Sequence, residues 1–120
     1  TKDTPVALAS PGNTIAGLVR IGQTSDAEWG PRTALNMPAL VTTVGDMAQA
    51  LDKVAGKAAT DLIDWTPDEN IRRIVKSWPG RVESARARAL GLSSDPDFET
   101  IIRDYIRENP QAIKIALPKG

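Results

Sequence analysis

The sequence predicts an α+β fold that is mostly helical, with two or three short strands in a single domain over residues 1–120. Apolar residues recur at helical spacing in several segments, whereas apolar runs of strand length are few and short. A chain of 120 residues suffices for one domain with its own core. Because only 4% of the residues are aromatic, that core must consist mainly of Ala, Leu, Ile and Val.

Composition excludes several classes of chemistry. The chain has no cysteine and no histidine, which removes disulfides, thiolate nucleophiles, histidine-ligated metals and a Ser-His-Asp triad. Its formal net charge is zero, and this argues against nucleic-acid binding. No apolar run approaches the length of a membrane span. We therefore expect a cytoplasmic protein, and because the sequence begins with Thr1, a piece of a longer one.

The first segments predict a strand followed by a helix. Residues 6–9 form a short apolar run, and Ser10 and Pro11 are a typical N-cap and first helical residue. The buried stripe of this helix is expected to contain Ile15, Leu18 and Val19. Residues 26–29 predict one helical turn, with Trp29 as a packing residue at the corner.

The middle of the chain predicts a weak strand, a clear helix and a further strand. Residues 33–37 resemble a strand, and Thr43 with Asp46 three positions later indicates a helix start. That helix carries an apolar face and stops at Gly56. Residues 57–62 predict one more short helix, and residues 63–65 another short strand.

Three helices are predicted in the C-terminal half. Thr66 and Pro67 favour the start of a helix whose apolar face would include Ile71, Ile74, Val75 and Trp78. Ser84 is predicted to cap a short second helix, and the segment beginning at Asp95 to open the last one. The apolar stripe of the last helix consists of Phe98, Ile101, Ile102, Tyr105 and Ile106.

A basic segment carries the candidate binding residues. Residues 72–88 contain six cations and a single acid, Glu83. Arg72, Arg73 and Lys76 are interpreted as a solvated helix face. Arg81 follows a Trp-Pro-Gly turn, where a guanidinium could bind a carboxylate or phosphate through two hydrogen bonds, or could form a salt bridge. Trp78 is either a core residue or a ligand shelf. Arg32, at another Gly-Pro corner, is a similar candidate.

Glycine patterns that cradle phosphates are absent from the sequence. Paired carboxylates such as Asp95 and Asp97 lie beside helix starts, where they usually serve as caps. No catalytic, cofactor-binding or metal-binding residue is therefore assigned.

A family resemblance follows from motifs in a fixed order. Residues 33–38 and 43–47, the Pro-Gly turn at 79–80, residues 85–92 and the amphipathic segment 98–106 resemble the C-terminal part of extended short-chain dehydrogenases, the NAD-dependent epimerase/dehydratase family. Within that family the chain is most similar to sugar-acid dehydrogenases often labelled nucleoside-diphosphate-sugar epimerases. Trp78 stands where family members that use sugar nucleotides often have an arginine, which favours a small sugar acid.

The resemblance implies a substrate-binding lobe detached from a Rossmann-type NAD(P)-binding lobe. The parent would be an NAD-dependent oxidoreductase or epimerase acting on a sugar acid such as D-erythronate, or on another sugar derivative, with Trp78, Arg81 and Arg32 as substrate contacts. This chain alone would be inactive and would bind no cofactor. Its partners would be its own missing lobe, the sugar acid and, through the exposed interface, a second copy. The alternative is a free-standing helical module that binds another protein.

Overall fold

A computed structural model describes residues 1–31 and 34–119. Its elements confirm the predicted α+β class, mostly helical with a small sheet. In chain order they are β1 (Pro5–Leu8), α1 (Pro11–Gly22), α2 (Asp26–Trp29), β2 (Leu40–Thr43), α3 (Val44–Ala55), α4 (Lys57–Thr60), α5 (Glu69–Lys76), α6 (Ala85–Ala89), α7 (Phe98–Glu108) and a 3₁₀ turn (Pro110–Ala112).

The sheet is an antiparallel pair. β1 pairs with β2 in a register that runs from Pro5 opposite Thr43 to Leu8 opposite Leu40. The predicted first strand is therefore confirmed, displaced by one residue. The strand predicted at 33–37 is wrong over 34–37, the part of it that the structure describes, and the strand predicted at 63–65 is also wrong, since these residues are irregular. The chain forms its second strand at β2 instead. β2 contains β-branched residues, which favour strands, and it lies beside β1, which supplies its hydrogen-bonded neighbour.

A buried polar pair joins α1 to the C-terminal third of the chain. Ser10 caps α1, and its Oγ accepts a hydrogen bond from the Asn13 N–H at 3.1 Å. The Ser10 N–H donates to Asp95 Oδ2 at 2.8 Å, and its hydroxyl donates to Oδ1 at 2.6 Å. Both residues are buried. Asp95 was predicted to open the last helix, but Asp97 caps α7 instead by accepting from the Thr100 N–H.

The start of α5 also differs from the prediction. Its N-cap is Asp68 rather than Thr66, because the Asp68 carboxylate accepts from the N–H groups of Asn70 and Ile71. Thr66 instead donates its N–H to Asp64 Oδ1 in a tight turn before the helix. The competing carboxylate two residues later therefore delays the helix start.

The best-packed region contains α3, α4 and α7. Thr43 caps α3 by accepting from the Asp46 N–H, and Gly56, with φ of 78°, ends it. The short α4 follows at once and packs against α3. α7 lies along α3, and Lys53 Nζ meets Glu99 Oε2 at 2.6 Å between them. Val54, Ala55 and Ala59 are buried in this region.

A second small core surrounds the end of α6. Ala87, Leu90 and Leu92 are buried, and Gly91, with φ of 90°, turns the chain between the two leucines. Four partly buried residues pack against this cluster: Ile21, Trp29, Leu35 and Met37. The prediction of Trp29 as a packing residue is thus confirmed.

The apolar faces of α1 and α5 are not covered. Ile15, Leu18 and Val19 were expected to be buried, but 61%, 61% and 56% of their surfaces are exposed. The only buried residue of α1 is Gly17, which faces Met37 and Leu92. α5 has no buried residue at all, and Ile71 is 60% exposed. The periodicity of the apolar residues predicted both helices correctly. It does not show whether another element packs over their apolar faces.

The molecule is more open than a self-contained domain of its size. Its accessible surface is 8603 Å², whereas a compact monomer of 12.9 kDa exposes roughly 6,300 Å². Its radius of gyration is 17.1 Å, against roughly 14 Å for a compact chain of this length. The surplus of roughly 2,300 Å² exceeds the area that one partner contributes to an ordinary protein interface.

Candidate functional site

An apolar groove of about 760 Å³ crosses one side of the molecule. The groove lies between the apolar faces of α3 and α7 on one side and α5 on the other, with the segment 63–68 along its edge. Its apolar lining consists of Val44, Met47, Ala48, Leu51, Ile63, Trp65, Pro67, Ile71, Val75, Phe98, Ile101 and Ile102. A volume of this size is in the range of small-molecule sites.

Local sequence explains how the walls are placed. α3 and α7 present residues spaced three and four positions apart, so that each helix shows a continuous apolar stripe. Pro67 and the Asp64 turn bring the chain back toward these stripes before α5 begins. The groove stays open because α5 contributes only exposed or half-buried apolar residues.

Arg72 is the cation of the groove. Its side chain is 40% exposed, and Nη1 donates to Glu69 Oε1 at 3.1 Å. Its Nε is shielded from solvent and has no acceptor among the described residues. Arg72 thus lies at the edge of the predicted solvated face, partly exposed and with only its Nε shielded from solvent. The residue lies three positions before Val75, at the margin of the apolar stripe, and this spacing was the available signal.

Few other polar groups line the groove. Asp64 and Asp68 both already act as local caps, and hydrogen bonds from Thr66 hold the pKa of the Asp64 carboxyl below its ordinary value. Tyr105 lies on α7 at the same groove, with 54% of its surface exposed. These groups offer hydroxyl and carboxylate partners around a mostly apolar cavity.

Trp65 separates the groove from a polar cleft of about 510 Å³. Trp65 lines both, and Lys2 Nζ lies 5.0 Å from the centroid of its ring, a cation–π geometry. The cleft is lined by hydroxyl, amide and carboxylate groups, among them Thr43, Gln49 and Asp52. Sequence reasoning assigned Trp65 no role beyond a predicted strand.

Of the three predicted substrate contacts, the structure describes Trp78 and Arg81. Trp78 is 63% exposed just after α5, and Arg81 is exposed beyond the Pro-Gly turn, where Gly80 lies against Pro5. Neither lines the apolar groove. Arg32 lies outside the residues that the structure describes. No observation tests these three assignments, and they stay predictions.

The basic segment does not form one patch. The Arg86 guanidinium stacks on Trp29, 4.8 Å from the ring centroid, and donates to the backbone oxygens of Trp29 and Ala34. Arg88 donates to Ser94 Oγ at 3.4 Å. Arg86 therefore fixes the corner after α2, while Arg72 faces the groove.

The described residues do not build a dinucleotide or metal site. The observed sheet is an antiparallel pair, whereas dinucleotide binding in the implied family uses a parallel βαβ unit with a glycine-rich turn. Within residues 1–31 and 34–119, no group of acidic residues is arranged to hold a metal ion. None of the described helices has the length and hydropathy needed to cross a membrane.

Comparisons with known proteins identify relatives of which this chain covers a part. It is 36% identical over 106 residues to D-erythronate dehydrogenase of Cupriavidus necator, which is 88% of this chain and 33% of that protein. It is 32% identical over 99 residues to D-erythronate dehydrogenase of Haemophilus influenzae, which is 82% of this chain and 31% of that protein. The chain thus spans about one third of the length of these relatives.

A solved structure supports the same relationship as these sequence relatives. The crystal structure of the nucleoside-diphosphate-sugar epimerase from Agrobacterium tumefaciens matches with a TM-score of 0.87 and 34% identity, over 94% of this chain and 33% of that one. The chain is a homologue of one third of a D-erythronate dehydrogenase. The resemblance predicted from its motifs is therefore confirmed. No protein-family model matches the chain.

Proposed function

We propose that the chain forms the substrate-binding part of an NAD-dependent oxidoreductase or epimerase whose substrate is a sugar acid resembling D-erythronate. The observation that carries this proposal is the 36% identity to the D-erythronate dehydrogenase of Cupriavidus necator over 88% of this chain. We place the protein in the cytoplasm, in keeping with a sequence that contains no cysteine.

The groove is open along one side, and the surplus surface of the molecule supports a partner there. We propose that this partner is the NAD-binding lobe, which would supply the dinucleotide site and the catalytic residues. The chain alone is then inactive. Contacts from Trp78, Arg81 and Arg32 to the substrate remain part of the proposal. Self-association through the exposed apolar faces is the outcome expected when the lobe is produced without its partner.

A chimaera tests the proposal. The matching third of the Cupriavidus necator relative is replaced by this chain, and the formation of NADH is followed with D-erythronate as substrate. The proposal predicts NADH formation by the chimaera and none by the 120-residue chain alone. Erythritol, which has the same carbon chain without the carboxylate, is the matched control substrate. A folded chimaera without activity on D-erythronate would contradict the proposal.

The same experiment distinguishes the proposed function from the alternative, a helical interaction module. A free-standing helical interaction module would use the exposed faces of α1 and α5 to bind another protein and would not complete a dehydrogenase. A chimaera that folds but turns over no sugar acid would favour that alternative.

A further inference from the structure

We infer that the apolar groove is filled by the stretch of the longer enzyme that directly precedes Thr1, in the form of an amphipathic helix. The inference rests on the proposed function and deepens it, because it names which part of the rest of the enzyme covers the groove. It assigns the groove to packing between two parts of one protein and gives the substrate no place in it.

The lining of the groove has the chemistry of a packing surface. Most of its side chains are aliphatic or aromatic, and the carboxylates of Asp64 and Asp68 already accept hydrogen bonds from backbone N–H groups. A polyhydroxylated ligand needs a hydrogen-bonding partner for each hydroxyl group that it buries, and this lining offers few. The apolar face of a helix needs none. A groove of this kind between helices is a recurrent binding site for an amphipathic helix.

The position of Thr1 identifies the segment. Thr1 and Thr4 both line the groove, and the Thr4 N–H donates to the Thr1 carbonyl oxygen at 3.1 Å in a turn before β1. The motifs of this chain resemble the C-terminal part of its family, and the chain spans about one third of its relatives. The proposed function therefore places a long stretch of the enzyme ahead of Thr1. Residues joined to Thr1 start at the groove and have a high effective concentration there.

The charges of the groove indicate which polar residues the helix should carry. The charged side chains that line the groove are Asp64, Asp68 and Arg72, and Arg72 is already paired with Glu69. The two aspartates therefore make this rim negative. We expect a lysine or arginine to flank the apolar face of the docking helix, where it would meet Asp64 or Asp68 across the interface.

The exposed area of the molecule is large enough for this contact. The surplus of roughly 2,300 Å² over a compact monomer compares with about 800 Å² that one partner contributes to a standard interface. The surplus therefore suffices for a covered groove in addition to the exposed faces of α1 and α5.

Disulfide cross-linking tests the inference in the chimaera that carries the remaining two thirds of the Cupriavidus necator relative. Met47→Cys introduces a thiol into the groove wall of a chain that has no cysteine of its own. Single cysteines are then scanned through the residues before Thr1, with all other cysteines of the chimaera replaced. Disulfides are expected at positions three or four residues apart, the spacing of one helix face. Gln49→Cys, exposed on α3 and outside the groove, is the control and should form none.

Limited proteolysis of the same segment gives a second measurement. Ile71 lines the groove and is 60% exposed, so Ile71→Asp places a charge in the interface without removing a packed side chain of this chain. Cleavage before Thr1 should become faster by about tenfold or more, because losing an apolar contact raises the population of the undocked form. Val41→Asp makes a similar change at a 50% exposed site outside the groove and should leave the cleavage rate nearly unchanged.

Four results would overturn the inference. Disulfides to Met47→Cys without helical spacing would contradict a helix, and their complete absence would remove the segment from the groove. A disulfide between two copies of the Met47→Cys variant would assign the groove to self-association. Equal cleavage rates for Ile71→Asp and Val41→Asp would show that the groove is not the docking site. NADH formation judges the proposed function separately, since an active chimaera without these disulfides would refute the inference alone.

Discussion

α3 and α5 border the same groove, but only α3 is held in place by packing. α3 buries Val54 and Ala55 at its C-terminal end, and the exposed Lys53 beside them pairs with Glu99 of α7. α5 is an eight-residue helix that buries no side chain. A helix of that length is marginal in water without tertiary contacts. The comparison indicates that α5 needs a covering surface that the described residues do not supply, and the same holds for the apolar face of α1.

The largest difference between covered and uncovered positions is expected for leucine truncation. Leu92→Ala, at a site that is 5% exposed, should lower the free energy of unfolding by about 3 kcal/mol, because it leaves a cavity in the second core. Leu18→Ala, at a site that is 61% exposed, should change it by less than about 0.5 kcal/mol. Urea unfolding followed by circular dichroism measures both. Equal losses would show that α1 is covered in solution.

An intermediate effect is expected at the Ser10–Asp95 pair. Asp95→Asn should lower the free energy of unfolding by about 2 kcal/mol, because one buried donor of Ser10 loses its carboxylate acceptor. Asp26→Asn, at an exposed site, is the control and should change the free energy of unfolding little. If Asp95→Asn unfolds at the same urea concentration as the control, the pair does not hold α1 to the C-terminal third.

The smallest effect concerns the ion pair between α3 and α7. Hydrogen bonds from Lys53, and then from Arg103, lower the pKa of Glu99 in the folded protein. The folded state then binds fewer protons than the unfolded chain, so this stabilisation is complete above the ordinary glutamate pKa of about 4.3 and is lost as the pH falls through the lower folded value.

The melting temperature measured against pH checks this sign. Glu99→Gln should flatten the acid side of the profile, whereas Glu108→Gln, an exposed change on the same helix, should leave its slope unchanged. An unaltered slope for Glu99→Gln would show that this ion pair contributes nothing to the acid sensitivity.

Sequence reasoning predicted most helices and fewer of the details. Ser10, Thr43 and Gly56 gave the right helix limits, because caps are local chemistry that a short segment specifies. β2 was missed because a strand depends on its neighbour, and neither strand was stable by itself. Helix starts were displaced where a second carboxylate lay within two residues, as at Asp68 and Asp97.

The candidate site was harder to predict than the fold. A search for cations beside turns indicated Arg81, whereas the groove is a product of three separate helices and places Arg72 at its wall. Which side of α5 faces the groove depends on the path of residues 63–68, and that path has no periodic signal. The apolar face predicted for α5 therefore included Ile71 and Val75 of the groove wall, but it did not show that Ile74 and Trp78 lie outside the groove.

Hydrogen exchange tests the central claim, that the rest of a longer enzyme covers the exposed apolar faces of α1 and α5. It compares the amides of α1, α3 and α5 in the 120-residue chain with those in the chimaera, which carries the remaining two thirds of the Cupriavidus necator relative. We expect α3 to be protected in both proteins, while α1 and α5 gain protection only in the chimaera. Equal protection of α5 in the two proteins would contradict it.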